Sequence, residues 1–160
     1  MCKGRNAKGY RAQNRTLRFW RQSMIIIGAD HAGYALKEKL VKALKEEVKD
    51  LSPKLIKGDD YPAISKKVAR AVLKHKAKGI LCCGSGEGVA IAANRIKGVR
   101  AVTVLDNYAA KMSRIDNDAN VLCLRGRKFS NKKAIQLAKL WLRTPFSNAP
   151  RHKRRIKQVG

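Results

Sequence analysis

The chain has 160 residues, 44% of them apolar, which is enough for one domain with a substantial core. Its 37 basic and 11 acidic residues give a net charge of +26, so its surface attracts phosphorylated metabolites, nucleic acids and other anions. No apolar run reaches the roughly 20 residues of a membrane-spanning helix, and residues 1–23 lack the apolar centre of a secretion signal.

The first element in chain order is a basic extension, residues 1–23, with seven basic residues and no acidic ones. It shows no hydrophobic periodicity, and Met24 opens the first convincing element. We expect either a disordered basic tail or a mis-assigned start, with residues 24–160 forming the domain. Both alternatives are compatible with the sequence.

The first half of the domain alternates between strand and helix patterns. Residues 25–29 read as a short buried strand, and apolar residues from Leu36 to Val48 recur at helical spacing. A weak strand is predicted near Val48–Leu51, followed by a loop rich in Pro, Gly and Asp and a helix over Ala63–Lys76.

The second half continues the alternation. The predicted elements are a strand over 79–83, a helix through Ile96, a strand over Val99–Leu105, a helix from about Tyr108, a strand over Asn120–Leu124, and helices over Lys132–Leu142 and Arg151–Val159. Strands that alternate with helices predict an α/β fold in three layers, with a parallel sheet of about five strands covered on both faces.

Polar side chains follow several of the predicted strands. Asp30 and His31 come after the first strand, Cys83 after the third, and Arg125 and Arg127 after the last. The carboxyl ends of parallel strands meet at one edge of a sheet, where ligands bind in such folds. We therefore expect a binding site at this edge.

The loop Cys83–Gly88, with the sequence CGSGEG, joins a strand to a helix. Its glycines allow a sharp turn and a close approach of ligand to backbone, and its amides would face an anion. It matches neither GxGxxG nor a Walker motif, which disfavours nucleotide binding. A helix start beside Cys83 would stabilise its thiolate; the alternative is a buried thiol, as expected for Cys82 and Cys123.

The cysteines are Cys2, Cys82, Cys83 and Cys123. Their spacing contains no CxxC pair and does not favour a disulfide framework or a zinc site. We expect reduced thiols in the cytoplasm, with no metal and no cofactor.

The segments IIIGADHAGYALKEKL, GILCCGSGEGVAIAANRIKGVRA, SRIDNDANVLCLRGR and RHKRRI occur in order over residues 24–157. In these segments the chain resembles ribose-5-phosphate isomerase type B and the galactose-6-phosphate isomerase subunits. The resemblance implies a Rossmann-like domain, a homodimer or homotetramer with active sites at the subunit interface, and aldose–ketose isomerisation of a sugar phosphate through an enediolate. The expected reaction is ribose 5-phosphate to ribulose 5-phosphate.

The resemblance also implies roles for individual residues. Cys83 matches the catalytic base, Ser85 a position that contacts the reacting oxygens, and Asp116 the position of the group that opens the sugar ring. The remaining implied substrate-binding residues are Asp30, His31, Tyr61, Gly84, Gly86, Glu87, Gly88, Asn117, Arg127, Arg151 and Arg155. Arg151 and Arg155 are four residues apart and would share a helix face.

The chain departs from the family pattern at Asp116, where the family commonly has His. A carboxylate could open the ring only with a raised pKa, so another group could do so, or the substrate could enter already open. Glu87 is also unusual, and we interpret it as a solvated loop acid. Two alternative functions remain: a catalytically weak sugar-phosphate-binding homologue, and a basic nucleic-acid-binding protein on the same fold. The positive charge that motivates the second alternative is sufficiently explained by non-specific attraction to nucleic acid.

Overall fold

The computed structural model describes residues 24–44 and 46–160, so the predicted extension 1–23 lies outside the described residues. These residues form five strands: β1 (Ile25–Ala29), β2 (Val48–Asp50), β3 (Lys78–Cys83), β4 (Ala101–Thr103) and β5 (Val121–Arg125). They form six helices: α1 (Tyr34–Ala43), α2 (Tyr61–His75), α3 (Glu87–Ala93), α4 (Asn107–Ile115), α5 (Asn131–Arg143) and α6 (Pro150–Val159).

The strands form one parallel sheet in the order β2-β1-β3-β5-β4. The chain moves outward from β1 to β2 and then crosses back to β3 on the other side of β1. The carboxyl ends of β1 and β3 therefore flank the point where the strand order reverses, which is the usual ligand crevice of such sheets. Asp30 follows β1 and Cys83 ends β3, so the topology places both at that crevice.

Two apolar clusters cover the two faces of the sheet. Ile25 and Ile27 of β1 pack with α1 and α5 on one face, whereas Ile26 packs with α2 and α3 on the other. This alternation follows from the two-residue period of a strand. Trp141 of α5 is fully buried in the first cluster. The three-layer α/β fold is thus confirmed.

Some helix and strand boundaries differ from the predicted ones. Val48 fits the helical spacing but begins β2, because α1 ends at Ala43. The helix expected to reach Ile96 ends at Ala93, since the Asn94 side chain bonds both backbone groups of Ala101 at 2.7 and 2.9 Å. That contact also fixes the start of β4, which is shorter than predicted.

Lys37 is a fully buried cation on α1 that ties the helix to the end of β2. Its Nζ donates to Asp50 Oδ2 at 2.7 Å and to the Ser52 carbonyl at 2.9 Å, and it also pairs with Glu38. Burial lowers the pKa of Lys37, but the hydrogen bonds to Asp50 and Glu38 outweigh burial and raise it.

None of the described helices is both long and apolar enough to cross a membrane.

Candidate active site

A cavity of about 570 Å³ opens at the carboxyl edge of the sheet, within the size range of small-molecule sites. Several predicted site residues line it: Asp30, His31, Cys83, Gly84, Ser85, Glu87 and Arg127. The sequence places these residues on separate loops, after β1, β3 and β5, and the parallel sheet brings the loops together. The predicted gathering of side chains at this edge is therefore present within the single chain.

The Cys83 thiol and the Asp30 carboxylate are in direct contact at the base of this cavity. Cys83 Sγ donates to Asp30 Oδ2 at 2.9 Å, and both residues are buried. The other carboxylate oxygen, Oδ1, accepts the backbone N–H of Gly33 at 2.8 Å, which fixes the carboxylate. Cys83 is 7% exposed, in contrast to Cys82 and Cys123, which are 0% exposed as predicted.

The pKa of Cys83 is raised, which corrects the expectation of a stabilised thiolate. Burial is the largest cause, and the hydrogen bond and negative charge of Asp30 add to it. The backbone amides of Gly86 and Ser85 act in the opposite direction, as a helix start should, but they do not compensate. Asp30 lies 53 residues away in sequence, so its effect on the thiol was not apparent from the local pattern.

The glycine loop has the conformation that its composition predicted. Gly86 has φ +86°, a region that favours glycine, and its carbonyl accepts the Thr103 hydroxyl at 3.1 Å. A Cβ at Gly88 would meet the ring of Tyr61 at 2.9 Å, so Tyr61 packs directly against the loop. Gly86, Gly88 and Tyr61 are thus next to the cavity rather than among its lining residues.

His31 is held by Asp59, a residue that sequence reasoning missed. Asp59 Oδ1 accepts the His31 backbone N–H at 2.7 Å and lies 3.1 Å from its Nδ1. A carboxylate at Nδ1 favours the tautomer with the proton there and leaves Nε2 as an acceptor facing outward. The acid-rich stretch before Tyr61 was the signal for this contact, but nothing local related it to His31.

The rim of the cavity carries positive charge. Arg125, Arg127 and Lys128 all line it, and Arg125 Nε donates to the carbonyl of Arg127 at 2.9 Å. Lys128 was missed, although it directly follows the predicted Arg127; Leu105, a half-exposed lining residue after β4, was missed as well. Among the described residues, no group of three or more His, Cys, Asp or Glu could hold a metal ion.

Four further predicted site residues do not line this cavity in the single chain: Asp116, Asn117, Arg151 and Arg155. Asn117 and Arg155 line a different cavity of about 580 Å³, beside α6. Asp116 Oδ1 lies 3.4 Å from Nε2 of the buried His152. The Nε of Arg151 donates to the same His152 nitrogen at 3.0 Å, while Nδ1 is 2.7 Å from the Ser147 hydroxyl. These residues therefore form a second polar group, apart from Cys83.

The family model described as Ribose/Galactose Isomerase matches residues 25–159. The chain belongs to the ribose/galactose isomerase family. Family membership confirms the resemblance and the isomerase activity class that it implied.

Individual members of the ribose/galactose isomerase family give the same result. The chain is 37% identical to ribose-5-phosphate isomerase B of Escherichia coli, over 84% of this chain and 93% of that protein. It is 40% identical to D-erythrulose-4-phosphate isomerase 2 of Mycolicibacterium smegmatis, over 76% and 85%. Ribose-5-phosphate isomerase B of Mycoplasma genitalium, solved with bound ribulose 5-phosphate, matches with a TM-score of 0.79 and 37% identity, over 85% and 93%.

Proposed function

We propose that this protein converts ribose 5-phosphate to ribulose 5-phosphate, with Cys83 as the base. The observation that carries the proposal is the Cys83–Asp30 contact at the base of a cavity whose rim holds Arg125, Arg127 and Lys128. A proton acceptor beneath a cationic rim suits a phosphorylated carbon acid. The isomerase relatives, one of them solved with bound ribulose 5-phosphate, support the assignment.

The proposed reaction begins when the Cys83 thiol passes its proton along the hydrogen bond to Asp30 Oδ2. The thiolate then removes the proton from C2 of the open-chain aldose, and the electron pair moves to the carbonyl oxygen on C1, giving an enediolate. Cys83 then returns that proton to C1 while the hydroxyl proton on C2 passes to the oxygen on C1, which yields the ketose, and Asp30 gives its proton back to the Cys83 thiolate. Amides of the loop from Gly84 to Gly88, with the Ser85 hydroxyl, stabilise the oxyanion.

We assign substrate positioning to the other residues that line or adjoin the cavity. Asp30 and His31 contact sugar hydroxyls, and Asp59 keeps the His31 ring oriented. Tyr61 closes the side of the site against the glycine loop, and Glu87 lies at the exposed mouth as a solvated acid. Arg127 binds the phosphate, because guanidinium groups hold phosphate oxygens in bidentate fashion.

We further propose that the site is completed by a second subunit in a homodimer or larger homo-oligomer. Asn117, Arg151 and Arg155 do not line the Cys83 cavity in one chain, so a second copy would bring them to the sugar and its phosphate. Exposed apolar side chains support a contact between copies: Leu105, which lines the cavity, Ile91 on α3 and Tyr108 on α4.

Turnover of ribose 5-phosphate by the purified protein tests the proposed base. Cys83→Ala should lower kcat by at least about a hundredfold, the scale of a lost general base. The control is Cys123→Ala, another buried strand cysteine outside the cavity, which should keep turnover. Wild-type rates in Cys83→Ala protein would refute the base, and binding of ribose 5-phosphate without turnover by the wild type would favour the silent homologue.

Mixing two inactive variants tests the shared site. Cys83→Ala and Arg155→Ala chains, co-expressed with different tags, form mixed oligomers in which one subunit pair has both residues intact. In a dimer, random pairing should restore about a quarter of wild-type activity, because half of the dimers are mixed and each has one complete site. No recovery in isolated mixed dimers would place Arg155 outside the partner's site.

Ring opening falls to Asp116 together with His152 in this proposal. His152 is buried, its Nε2 lies 3.4 Å from Asp116 Oδ1 and accepts from Arg151 Nε, and its Nδ1 is 2.7 Å from the Ser147 hydroxyl. This arrangement supplies an imidazole next to the position where the family commonly has His. Asp116 thus acts through a neighbouring group.

The proposed location is the cytoplasm, which the three free cysteines of the described chain support. The net charge of +26 attracts nucleic acid, and we propose that this attraction is non-specific. Loss of RNA and DNA binding at moderate salt would support this view, whereas sequence-preferring binding that persists would contradict it.

A further inference from the structure

A cavity of about 300 Å³ lies at the opposite edge of the sheet from Cys83. Lys78 begins β3 and lines this cavity, whereas Cys83 ends the same strand. Five residues of strand at about 3.3 Å each separate the two by roughly 17 Å. The segment just before β5 contributes Asp118 and Asn120. This basic cavity is therefore separate from the site proposed for the sugar.

The basic cavity carries excess positive charge. Four cationic side chains line it, Lys76, Lys78, Arg100 and Arg114, with Asp118 as the acidic lining residue. Asp118 is shared, because its Oδ1 is 2.7 Å from Arg114 and its Oδ2 is 3.1 Å from Arg100.

Lys78 differs from the two arginines because its hydrogen bond goes to a neutral group and not to Asp118. Its Nζ donates to the Leu142 carbonyl at 2.7 Å, a neutral acceptor. Burial, together with the smaller effect of the Arg114 charge, lowers the pKa of Lys78 to about 8, although Asp118 and Glu46 act in the opposite direction. A bound anion would relieve this repulsion.

The two arginines are already ordered by backbone carbonyls. Arg114 donates to the carbonyls of Ala119 and Thr144, and Arg100 to those of Asn117 and Asp118. Ordered guanidinium groups lose little side-chain entropy when they bind an anion. The basic cavity is thus organised before any ligand enters.

We propose that the basic cavity binds a tetrahedral oxyanion, either inorganic phosphate or the phosphate group of a small metabolite, with Lys78 as the principal contact. The volume admits such an ion with its water shell, and Arg114, Arg100 and Lys76 supply further positive charge. Asp118 follows Asn117 directly, so the cavity adjoins the segment assigned to the sugar. This second site does not depend on the chemistry proposed for Cys83.

Sulfate binding to the full-length protein tests the proposal. Calorimetric titrations are run near pH 8, where about half of Lys78 is neutral, at constant ionic strength. Sulfate does not change its protonation near this pH, so any proton taken up on binding goes to the protein. The number of protons is obtained by repeating the titration in two buffers of different ionisation enthalpy. We expect saturable binding with uptake of a fraction of a proton per sulfate.

Two variants at Lys78 distinguish this site from general attraction to a basic surface. Lys78→Arg keeps the charge but cannot titrate at this pH, so sulfate should bind with no proton uptake. Lys78→Met should weaken sulfate binding at least about tenfold. Arg127→Met, which alters the Cys83 cavity, should leave the uptake unchanged.

Trp141 provides an independent readout. Its ring centroid is 5.8 Å from Lys78 Nζ and 5.4 Å from the guanidinium carbon of Arg114. In a Trp20→Phe background its emission should respond to sulfate, and Lys78→Met should abolish the response. The proposal would be overturned if the wild type showed no saturable sulfate binding or no proton uptake, or if proton uptake persisted in Lys78→Arg. Loss of proton uptake in Arg127→Met would assign the bound anion to the Cys83 cavity.

Discussion

Replacing Asp30 by Asn should lower the pKa of the Cys83 thiol. The wild-type carboxylate accepts the thiol proton at 2.9 Å in a buried position, so its hydrogen bond and its charge both favour the protonated form. A hydrogen bond to a charged group contributes about 1.5–3 kcal/mol. The pKa of the thiol should therefore fall toward its ordinary value, although burial, the largest cause of its increase, remains.

The assay is the pH dependence of Cys83 alkylation by iodoacetamide, followed at this residue by mass spectrometry. The thiolate is the reactive form, so the midpoint of the rate profile gives the thiol pKa. In Asp30→Asn protein the midpoint should move to lower pH. The matched control is Asp59→Asn, which removes a carboxylate that contacts His31 and makes no hydrogen bond to the thiol.

The reasoning would be refuted by an unchanged or raised midpoint in Asp30→Asn, or by an equal shift in the Asp59→Asn control. An upward shift would mean that loss of the anchor to the Gly33 amide buries the thiol further. An equal shift in both variants would mean that the general field of the cavity, and not the direct hydrogen bond, sets the pKa.

Three further predictions concern ring opening and stability. Asp116→Ala should reduce turnover of ribose 5-phosphate but spare D-erythrose 4-phosphate, whose 4-hydroxyl is phosphorylated and cannot close a five-membered ring; equal losses on both substrates would exclude a role in ring opening. Lys37→Met should cost about 1.5–3 kcal/mol of unfolding free energy in urea melts, because it removes the hydrogen bonds that the buried ammonium group makes to Asp50 and to the Ser52 carbonyl, whereas exposed Lys39→Met should cost under about 0.5 kcal/mol. Gly33→Ala should lower Tm far more than Gly58→Ala, because a Cβ at Gly33 would lie 2.1 Å from the backbone of β3. A Cβ at Gly58 would enter open space, and the only cost there is an unfavourable φ. Similar decreases in Tm for the two variants would show that the β3 backbone shifts to accommodate the added Cβ.

Several parts of the candidate site could be read from the sequence because they depend on neighbours in the chain. The loop from Cys83 to Gly88 follows a strand and precedes a helix, and its glycines predict a tight turn with exposed amides. The helical offset of Arg151 and Arg155 likewise needs only the geometry of α6. Family segments added the roles of individual residues, which no local pattern could supply.

Other parts required the folded chain. The raised pKa of Cys83 comes from burial and from Asp30, and the orientation of His31 comes from Asp59, 28 residues away. The separation of Asn117 and Arg155 from Cys83 depends on the whole course of the chain around the sheet. Such contacts join residues that are distant in sequence, so local sequence patterns do not predict them.

The sequence by itself determined the alternation of strands and helices, the parallel sheet and the edge where polar groups gather, because hydrophobic periodicity and turn chemistry act over a few residues. The tertiary structure alone decided the strand order with β5 between β3 and β4, the partner of each buried charge, and the basic cavity at the far edge. These features arise when strands pack side by side. That packing sets the distances between residues that are far apart in sequence and the burial of each, and local sequence patterns do not encode either.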